Sequence, residues 1–431
     1  MAAHDEDALT MAVAAALECC EDRSPGPDAI WFASTSPPYL EKQGAALLAA
    51  ALDAPQEAFT IDVGASLRGW TSSLHLGADA LRAGSASRVV VAVGDVRPVA
   101  PGSQEELLFG DGGGAALLER DAEGAAVLGW GSVNDTTLVT WRRVGDPYVR
   151  SGDLRYAVEL GQVGPAVEAA RRALAAAGTA AGRVSLLAVA AADPRAAPAV
   201  QRALGIKGDL VQAPLDQVGF AGAALPPLLL ALALDRASAG DLVLLIATGD
   251  GADGVVLEAG QRPRGAGRLE HLLRDTHALP SYHHYLRSRG ILANERREPV
   301  SSPVVQRREE AQLLRFHGMR CRGCGEIQYP IMPLCGRCGR NELDEVRLSR
   351  FGTVYTYTTD HVVAQINPGL PQSPVTMAVI DLEDGARVYL QLTDVRDEEL
   401  RVGLGVEVCF RLLHEGSDYH NYYWKARPRR G

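Results

Sequence analysis

The hydrophobic pattern changes character twice between residues 62 and 95. The stretch "DVGASLRGWTSSLHLGADALRAGSASRVVVAVGD" is aperiodic from Asp62 to Arg68, takes up helical spacing near Gly69, and ends in an unbroken apolar run at Val89 to Val93. It reads as an irregular turn, a helix and a buried strand. The same signals return from Gly219 in "GFAGAALPPLLLALALDRASAGDLVLLIATGD": Gly and an aromatic residue, a helix, a small-residue turn, a buried strand, then Gly-Asp. Each copy closes with a Gly-rich turn into another strand, "GDGGGAALLE" and "GDGADGVVLE". Residues 1 to about 262 therefore read as an α/β domain in which one unit is used twice.

The pattern shifts after Pro263. Residues 263–315 carry many Arg, Glu and His, with helix signals interrupted by Pro280 and Pro299, and read as a helical arm. Residues 316–345 hold "CRGC" and "CGRC" in a Gly-rich setting. From residue 346 to the end, alternating segments such as "GTVYTYTTDHV", "VTMAVIDLED", "RVYLQLTD" and "VEVCFRLLHE" are separated by turn signals, which predicts a small antiparallel β-barrel.

At 431 residues the chain has room for two or three well-buried cores. Its net charge of -10 and the lack of a basic stripe argue against nucleic acid. Tyr355, Tyr357, Tyr389, Tyr419, Tyr422 and Tyr423 can stack on bases, but barrel strands use Tyr for packing as readily. The start of the chain is acidic and lacks the basic opening of a signal peptide. The longest apolar runs stop after about a dozen residues, short of a membrane span. A cytoplasmic protein is the expectation, with Cys19, Cys20 and Cys409 as reduced thiols.

The sharpest chemical signal is Cys321-x-x-Cys324 followed by Cys335-x-x-Cys338. Two close thiolate pairs on tight turns, helped by Gly323, Gly325, Gly336 and Gly339, suit a tetrahedral ion. Four protein ligands leave no open position, so the site is expected to be structural. Zn²⁺ fits best, a rubredoxin-like iron is the rival, and paired disulfides are disfavoured without an export signal.

The repeated halves, the turn before Gly69 and "VRPVAPGSQEELLFGDGGGAALLER" resemble the thiolase superfamily, specifically hydroxymethylglutaryl-CoA synthase and β-ketoacyl-acyl-carrier-protein synthase III. The arm, the cysteine pairs and the barrel resemble the domain-of-unknown-function-35 type, a rubredoxin-like zinc ribbon plus an OB-fold. The resemblance implies a layered thiolase-like fold of two homologous halves followed by those two small modules, and an association with acyl-CoA chemistry. It also implies that the first strand region of the thiolase-like domain is missing, since relatives carry a strand and a loop before the segment resembling "DEDALTMAVAAAL". Truncation, a mis-set start and completion by another chain are the readings of that gap.

Carried over position by position, the family's catalytic residues are absent. Its nucleophilic Cys falls on Leu67, its His at or near Ala191, its oxyanion Asn on Phe220, and the synthase's acidic residue at or near Thr35. Acyl transfer through an acyl-enzyme needs a nucleophile, a proton handler and oxyanion donors, and Leu, Ala and Phe supply none. Ser66 has no His between His75 and His271 to act as its base, and His75 itself reads as a packed or solvated residue.

Two functions follow from this pattern. One is a non-catalytic or weakly catalytic subunit that binds or gates acyl-CoA for a partner, either a thiolase-like chain or a second copy. The other is an acyltransferase, synthase or aldolase in its own right with a non-standard site. Trp141, Arg142, Arg143 and Tyr148, on "TTLVTWRRVGDPYVRSGDLRY", are candidates to face the CoA nucleotide and phosphates, or are plain surface residues of a long loop. The apolar helices 70–82 and 220–234 call for burial beyond one chain, and Leu67 is expected to be packed, plugging a former acyl channel.

Overall fold

A computed structural model describes the whole chain except residues 21–25, 121–123, 153, 215–216, 261–266, 275–277, 293–301, 362–373, 417–418 and 431. The chain divides into two units. The first comprises Met1–Ala3, Asp7–Ala49 and Ala54–Leu292; the second comprises His4–Glu6, Ala50–Asp53 and Ala293–Gly431.

The first unit holds two mixed sheets. In one, β1 (Ala29–Ser34) runs parallel to both β2 (Phe59–Gly64) and β3 (Arg88–Asp95), and β4 (Gly112–Glu119) closes antiparallel on β3, giving the order β2-β1-β3-β4. Helix α1 (Ala8–Cys20) precedes β1, and α2 (Gly44–Ala51), α3 (Gly69–Ala83) and the short turn α4 (Glu105–Leu108) connect the four strands in turn. A ribbon of β6 (Thr140–Trp141) and β7 (Arg150–Ser151) separates β5 (Ala126–Asn134) from α5 (Leu154–Tyr156) and α6 (Gly164–Ala176). The second sheet adds β8 (Val184–Ala190), β9 (Asp209–Val211), β10 (Leu242–Thr248) and β11 (Gly251–Glu258), in the order β5-β11-β10-β8-β9, with α7 (Ala196–Leu204) and α8 (Leu225–Arg236) packed beside it.

The two sheets correspond strand for strand: β1 to β8, β2 to β9, β3 to β10 and β4 to β11. Strands parallel to neighbours on both sides must be apolar on both faces. Accordingly β1 is buried along its whole length and β8 at every residue but Ser185. The helix starting at Gly69 ends at Gly84, whose left-handed φ of 76° lets its N–H return to the carbonyls of Ala80 and Leu81. Pro226 and Pro227 open α8, where missing N–H groups cost nothing.

Two expectations change here. The strand before the vacant turn extends through Gly64, so the irregular stretch shrinks to Ala65–Arg68. Asp62 belongs to β2, and its carboxylate caps α2 by accepting the N–H groups of Gly44 and Ala45, both at 2.7 Å. Nor do the helices at 70–82 and 220–234 need a second chain for burial. Trp70, Leu74 and Leu81 of α3 share one core with Leu225, Leu229 and Leu232 of α8.

The arm residues form short helices: α9 (Arg268–Arg274) and α10 (Tyr282–Ser288) in the first unit, α11 (Pro303–Arg308) and α12 (Glu310–Leu313) in the second. The second unit continues with a small sheet, β12 (His317–Cys321) between β13 (Ile327–Gln328) and β14 (Leu343–Arg347). It ends in an antiparallel barrel of β15 (Phe351–Asp360), β16 (Val375–Leu382), β17 (Arg387–Gln391), β18 (Gly405–Gly416) and β19 (Tyr419–Pro428). Their order is β17-β16-β15-β18-β19, and a bridge from Leu392 to Ala426 nearly closes the ring. Trp424 is fully buried and meets Phe316 and Phe410, each with centroids 5.3 Å away.

Within this unit His317 lies between two carboxylates, 2.9 Å from Asp53 through Nε2 and in contact with Glu345 through Nδ1. Burial opposes its charge, but the hydrogen bonds to Asp53 and Glu345 outweigh burial and raise its pKa above 6.5. A raised folded-state pKa gives stability that is complete below the unfolded value of about 6.5 and is lost as pH rises through the folded value. His317→Gln should therefore lower the melting temperature at pH 5.5, by an amount corresponding to about 1 kcal/mol, and much less at pH 9. Denaturation scans of both proteins at the two pH values check this.

Candidate active site and metal centre

The turn that carries Leu67 is held by specific contacts. Ala65 takes a left-handed φ of 61°, and the Ser66 hydroxyl accepts the N–H of Arg68 at 3.2 Å. The Arg68 guanidinium donates to Asp253 at 2.9 Å and to the Asp250 carbonyl at 3.0 Å. Asp253 is 5% exposed and accepts further bonds from Thr71 (2.8 Å), Ser72 (3.2 Å) and Ser132 (2.9 Å). A carboxylate at the start of α3 also suits the positive end of the helix. Leu67 is half-buried against the central core. A Cβ added to Gly249 would stand 2.6 Å from the Leu67 Cβ, so the two residues meet at a distance only glycine permits.

Thr35, at or near the place expected for the synthase's acidic residue, is a structural pivot. Thr35 donates its N–H and its hydroxyl to Asp95 at 2.6 and 2.9 Å, and its own hydroxyl accepts from Arg97 at 2.8 Å. Arg97 is buried, with its guanidinium 5.5 Å from the Phe109 ring centre and 5.6 Å from that of Phe220. Desolvation pulls its pKa down despite the nearby Asp95. Asp95 also accepts the N–H of Ala223 at 2.7 Å, at the turn leading into α8. Gly222 is required there: with φ at 58°, a Cβ would lie 2.3 Å from the Asp95 carboxylate. Thr35 and Phe220 are thus joined through one buried arginine.

Phe220 and Ala191 line a cavity of about 360 Å³, together with Leu108, Asp193, Gln212 and Leu229. Asp193 lies against burial, but Arg195, 2.7 Å away, keeps its pKa low, so it holds a charge and not a proton. Neither it nor Gln212 is a nucleophile. Ser66 is engaged by Arg68, and His75 stacks on Trp130 with centroids 4.7 Å apart. Cys19 donates its thiol to the Ala115 carbonyl at 3.3 Å.

The long loop places Trp141 in β6, paired with Arg150 of β7. Arg143 and Asp146 form an ion pair at 2.9 Å, while the exposed Arg142 reaches the Thr35 carbonyl at 3.4 Å. Tyr148 is half-buried. Of the two guanidiniums, only Arg142 has no carboxylate partner among the described residues, and it stands beside the Thr35 pivot.

In the second unit Cys321, Cys324, Cys335 and Cys338 bring four Sγ atoms within 4.8 Å of one another. The Cys321–Cys338 and Cys324–Cys335 separations are both 3.6 Å. Disulfide sulfurs would lie about 2.05 Å apart, which removes that reading. Tetrahedral zinc with Zn–S of about 2.3 Å requires sulfurs about 3.8 Å apart, so the donor set fits. Two matching turns build it. The N–H of Gly325 returns to Cys321 and that of Gly339 to Cys335, at 2.8 and 2.9 Å, with φ of 75° and 73°. Gly325 and Gly339 are the glycines the turns demand; Gly336 has open space where a Cβ would stand.

Comparison with known proteins agrees with this geometry. Residues 61–135 match the 3-oxoacyl-[acyl-carrier-protein] synthase III family, residues 308–344 the rubredoxin-like zinc ribbon domain of ChsH2, and residues 345–411 its C-terminal OB-fold domain. A DUF35 domain-containing scaffold protein of Methanocaldococcus jannaschii is 37% identical over 114 residues, covering 26% of this chain and 79% of the relative. The chain joins a thiolase-like domain to a DUF35 module. A hydroxymethylglutaryl-CoA synthase of Methanopyrus kandleri is 28% identical over 254 residues, covering 57% of this chain and 72% of the relative. The solved structure of MvaS in complex with 3-hydroxy-3-methylglutaryl coenzyme A shares the fold, with a TM-score of 0.56 at 18% identity, covering 70% of this chain and 84% of that one.

Sequence reading passed over the residues that organise the thiolase-like site. Asp95, Arg97 and Asp253 give no local signal, because their partners lie far along the chain. The Gly-Asp ending of β3 was visible as a repeat, and its carboxylate marks the pivot.

Two outcomes test the site. Chelation, or Cys321→Ser, should abolish metal binding and unfold the ribbon, because binding energy at a closed thiolate site is folding energy, on the order of 10 kcal/mol. Elemental analysis should give one zinc per chain, and a folded metal-free protein would refute the assignment. Leu67→Asp should destabilise by about 2 kcal/mol, since the new charge faces packed hydrocarbon; urea denaturation measures it.

Proposed function

We propose that this chain is a non-catalytic, or at most weakly catalytic, thiolase-superfamily subunit of the cytoplasm. It binds or gates an acyl-CoA for a carbon–carbon bond-forming or bond-breaking acyltransferase, whose reactive residues sit on a thiolase-like partner chain. One observation carries this reading: the places of nucleophile, proton handler and oxyanion donor hold Leu67, Ala191 and Phe220. Each is also fixed in its substitute role, Leu67 against Gly249, Ala191 in an apolar cavity wall, and Phe220 against Arg97. Catalysis by acyl transfer needs groups that stabilise developing charge, and hydrocarbon does not.

Acyl-CoA contact rests on Arg142 and its neighbours Trp141, Arg143 and Tyr148, at the mouth of the Thr35 pivot. The zinc ribbon and barrel support a holding role, since the DUF35 relatives are named scaffold proteins. Fold likeness by itself does not assign chemistry.

Incubation with acetyl-CoA and other short acyl-CoAs should leave the intact mass unchanged, whereas a stable adduct on Ser66, Cys19 or Cys20 would overturn the reading. Leu67→Cys should fold and remain inactive, because the other two roles stay empty. Arg142→Glu should weaken acyl-CoA binding about tenfold, equal to about 1.4 kcal/mol, as read by titration calorimetry. Claisen or retro-aldol turnover by the wild-type chain alone would refute the proposal.

A further inference from the structure

A buried arginine is normally matched by a carboxylate, because desolvating an unpaired guanidinium is costly. Arg97 is 5% exposed and has no such match. Its Nη1 donates to the Thr35 hydroxyl at 2.8 Å, its Nε is enclosed without a hydrogen-bond partner, and its Nη2 makes no hydrogen bond among the described residues. The rings of Phe109 and Phe220, 5.5 and 5.6 Å from the guanidinium carbon, offset part of the cost.

The two nearby carboxylates are already committed. Asp95 accepts from Ser34, from the N–H and hydroxyl of Thr35 and from the Ala223 N–H, so the Thr35 hydroxyl stands between it and Arg97. Asp111 accepts the N–H groups of Ala2 and Arg97 and takes the Arg289 guanidinium through both oxygens.

A second guanidinium converges on the same threonine. Arg142 donates to the Thr35 carbonyl at 3.4 Å and has no carboxylate partner among the described residues. Like charges repel: burial, joined by the Arg142 charge, pulls the Arg97 pKa down against the attraction of Asp95. Around Arg97, the guanidiniums of Arg97, Arg142 and Arg289 meet the carboxylates of Asp95 and Asp111, which leaves one positive charge unmatched.

We propose that Arg97 and Arg142, joined through Thr35, form a binding site for a single carboxylate group. The inner guanidinium has unused donors and the outer one is exposed, and the two oxygens of a carboxylate suit such a pair. Its one negative charge matches the one positive charge left over. A phosphate monoester, at about −1.5 to −2, would bring more negative charge than the site can meet. Entry is from the Arg142 side, since Arg142 is exposed and Thr35 half-buried while Arg97 is enclosed. The hydrocarbon remainder of the ligand meets Phe220, which is also a wall of the apolar cavity. A free acid and the far end of an acyl thioester both carry this group, and the site recognises the same atoms in each.

Two titrations of the full chain test the site, and the first uses no CoA, so it is decided whatever becomes of the proposed function. At constant ionic strength, sodium butyrate should raise the melting temperature where sodium chloride does not. In the second, followed by calorimetry, succinyl-CoA should bind about tenfold tighter than butyryl-CoA, because a carboxylate replaces a methyl group at the end of the acyl chain. A response to butyrate alone assigns the site to a free acid; a preference for succinyl-CoA assigns it to the acyl group. Arg142→Gln, a change at the surface, should remove whichever response is seen, while Arg82→Gln, exposed on α3, should leave it intact. Arg97→Lys keeps the charge without the fork and should lose the response too; if that variant does not fold, Arg142→Gln still decides. A butyrate response with no binding of either thioester would sink the proposed function and leave this site standing. Silence in both titrations, an equal effect of chloride, or a response that survives Arg142→Gln would overturn the proposal.

Discussion

Each half of the thiolase-like unit lends the other a buried carboxylate. Asp253, from the second half, gathers Arg68, Thr71 and Ser72 at the start of α3. Asp95, from the first half, takes the Ala223 N–H at the turn into α8. Helix starts leave N–H groups unmet and carry partial positive charge, so a buried carboxylate there is stabilised by bonds and by field together. The geometry around the Ala65–Arg68 turn follows from this exchange: with both helix starts fixed, Leu67, Thr35 and Phe220 are held in place.

The second unit rests on a different balance. Its barrel is small, and small cores are supplemented by metals or by buried polar pairs. Here the four thiolates at one end are joined by a fully desolvated pair, Lys425 and Asp5, 2.8 Å apart and each 2% exposed at the side chain. The Thr393 hydroxyl gives the same carboxylate a further bond at 3.1 Å. Lysine attraction overcomes the cost of burial and holds the Asp5 pKa far below its ordinary value. Such a pair adds little net stability over hydrocarbon, but removing Asp5 leaves the Lys425 charge unmatched in the interior.

What the sequence disclosed depended on distance along the chain. The repeat, the strand runs and the left-handed glycines of the metal turns are all local patterns, and all were legible. The last barrel strand, "YHNYYWKARP", escaped notice because its polar and aromatic residues do not alternate cleanly. Asp62 looked like part of a loop until its cap on α2 appeared, eighteen residues back. The burial of α3 against α8 was likewise invisible, since both helices read as apolar and nothing local says that each covers the other. Arg97 gave no sign at all: its stack between Phe109 and Phe220 brings together segments more than a hundred residues apart.

The contact between Leu67 and Gly249 leaves position 67 open to change. A side chain smaller than leucine there meets no obstacle at Gly249. Phe220 is different. It is bridged to Phe109 through the backbone, stacked with that ring, and covered by Arg97, which is itself tied to Thr35. Replacing it with a small amide would uncover a buried guanidinium and unsettle three other residues at once. The two positions are therefore constrained unequally: position 67 tolerates a smaller side chain, whereas position 220 cannot change without disturbing Phe109, Arg97 and Thr35.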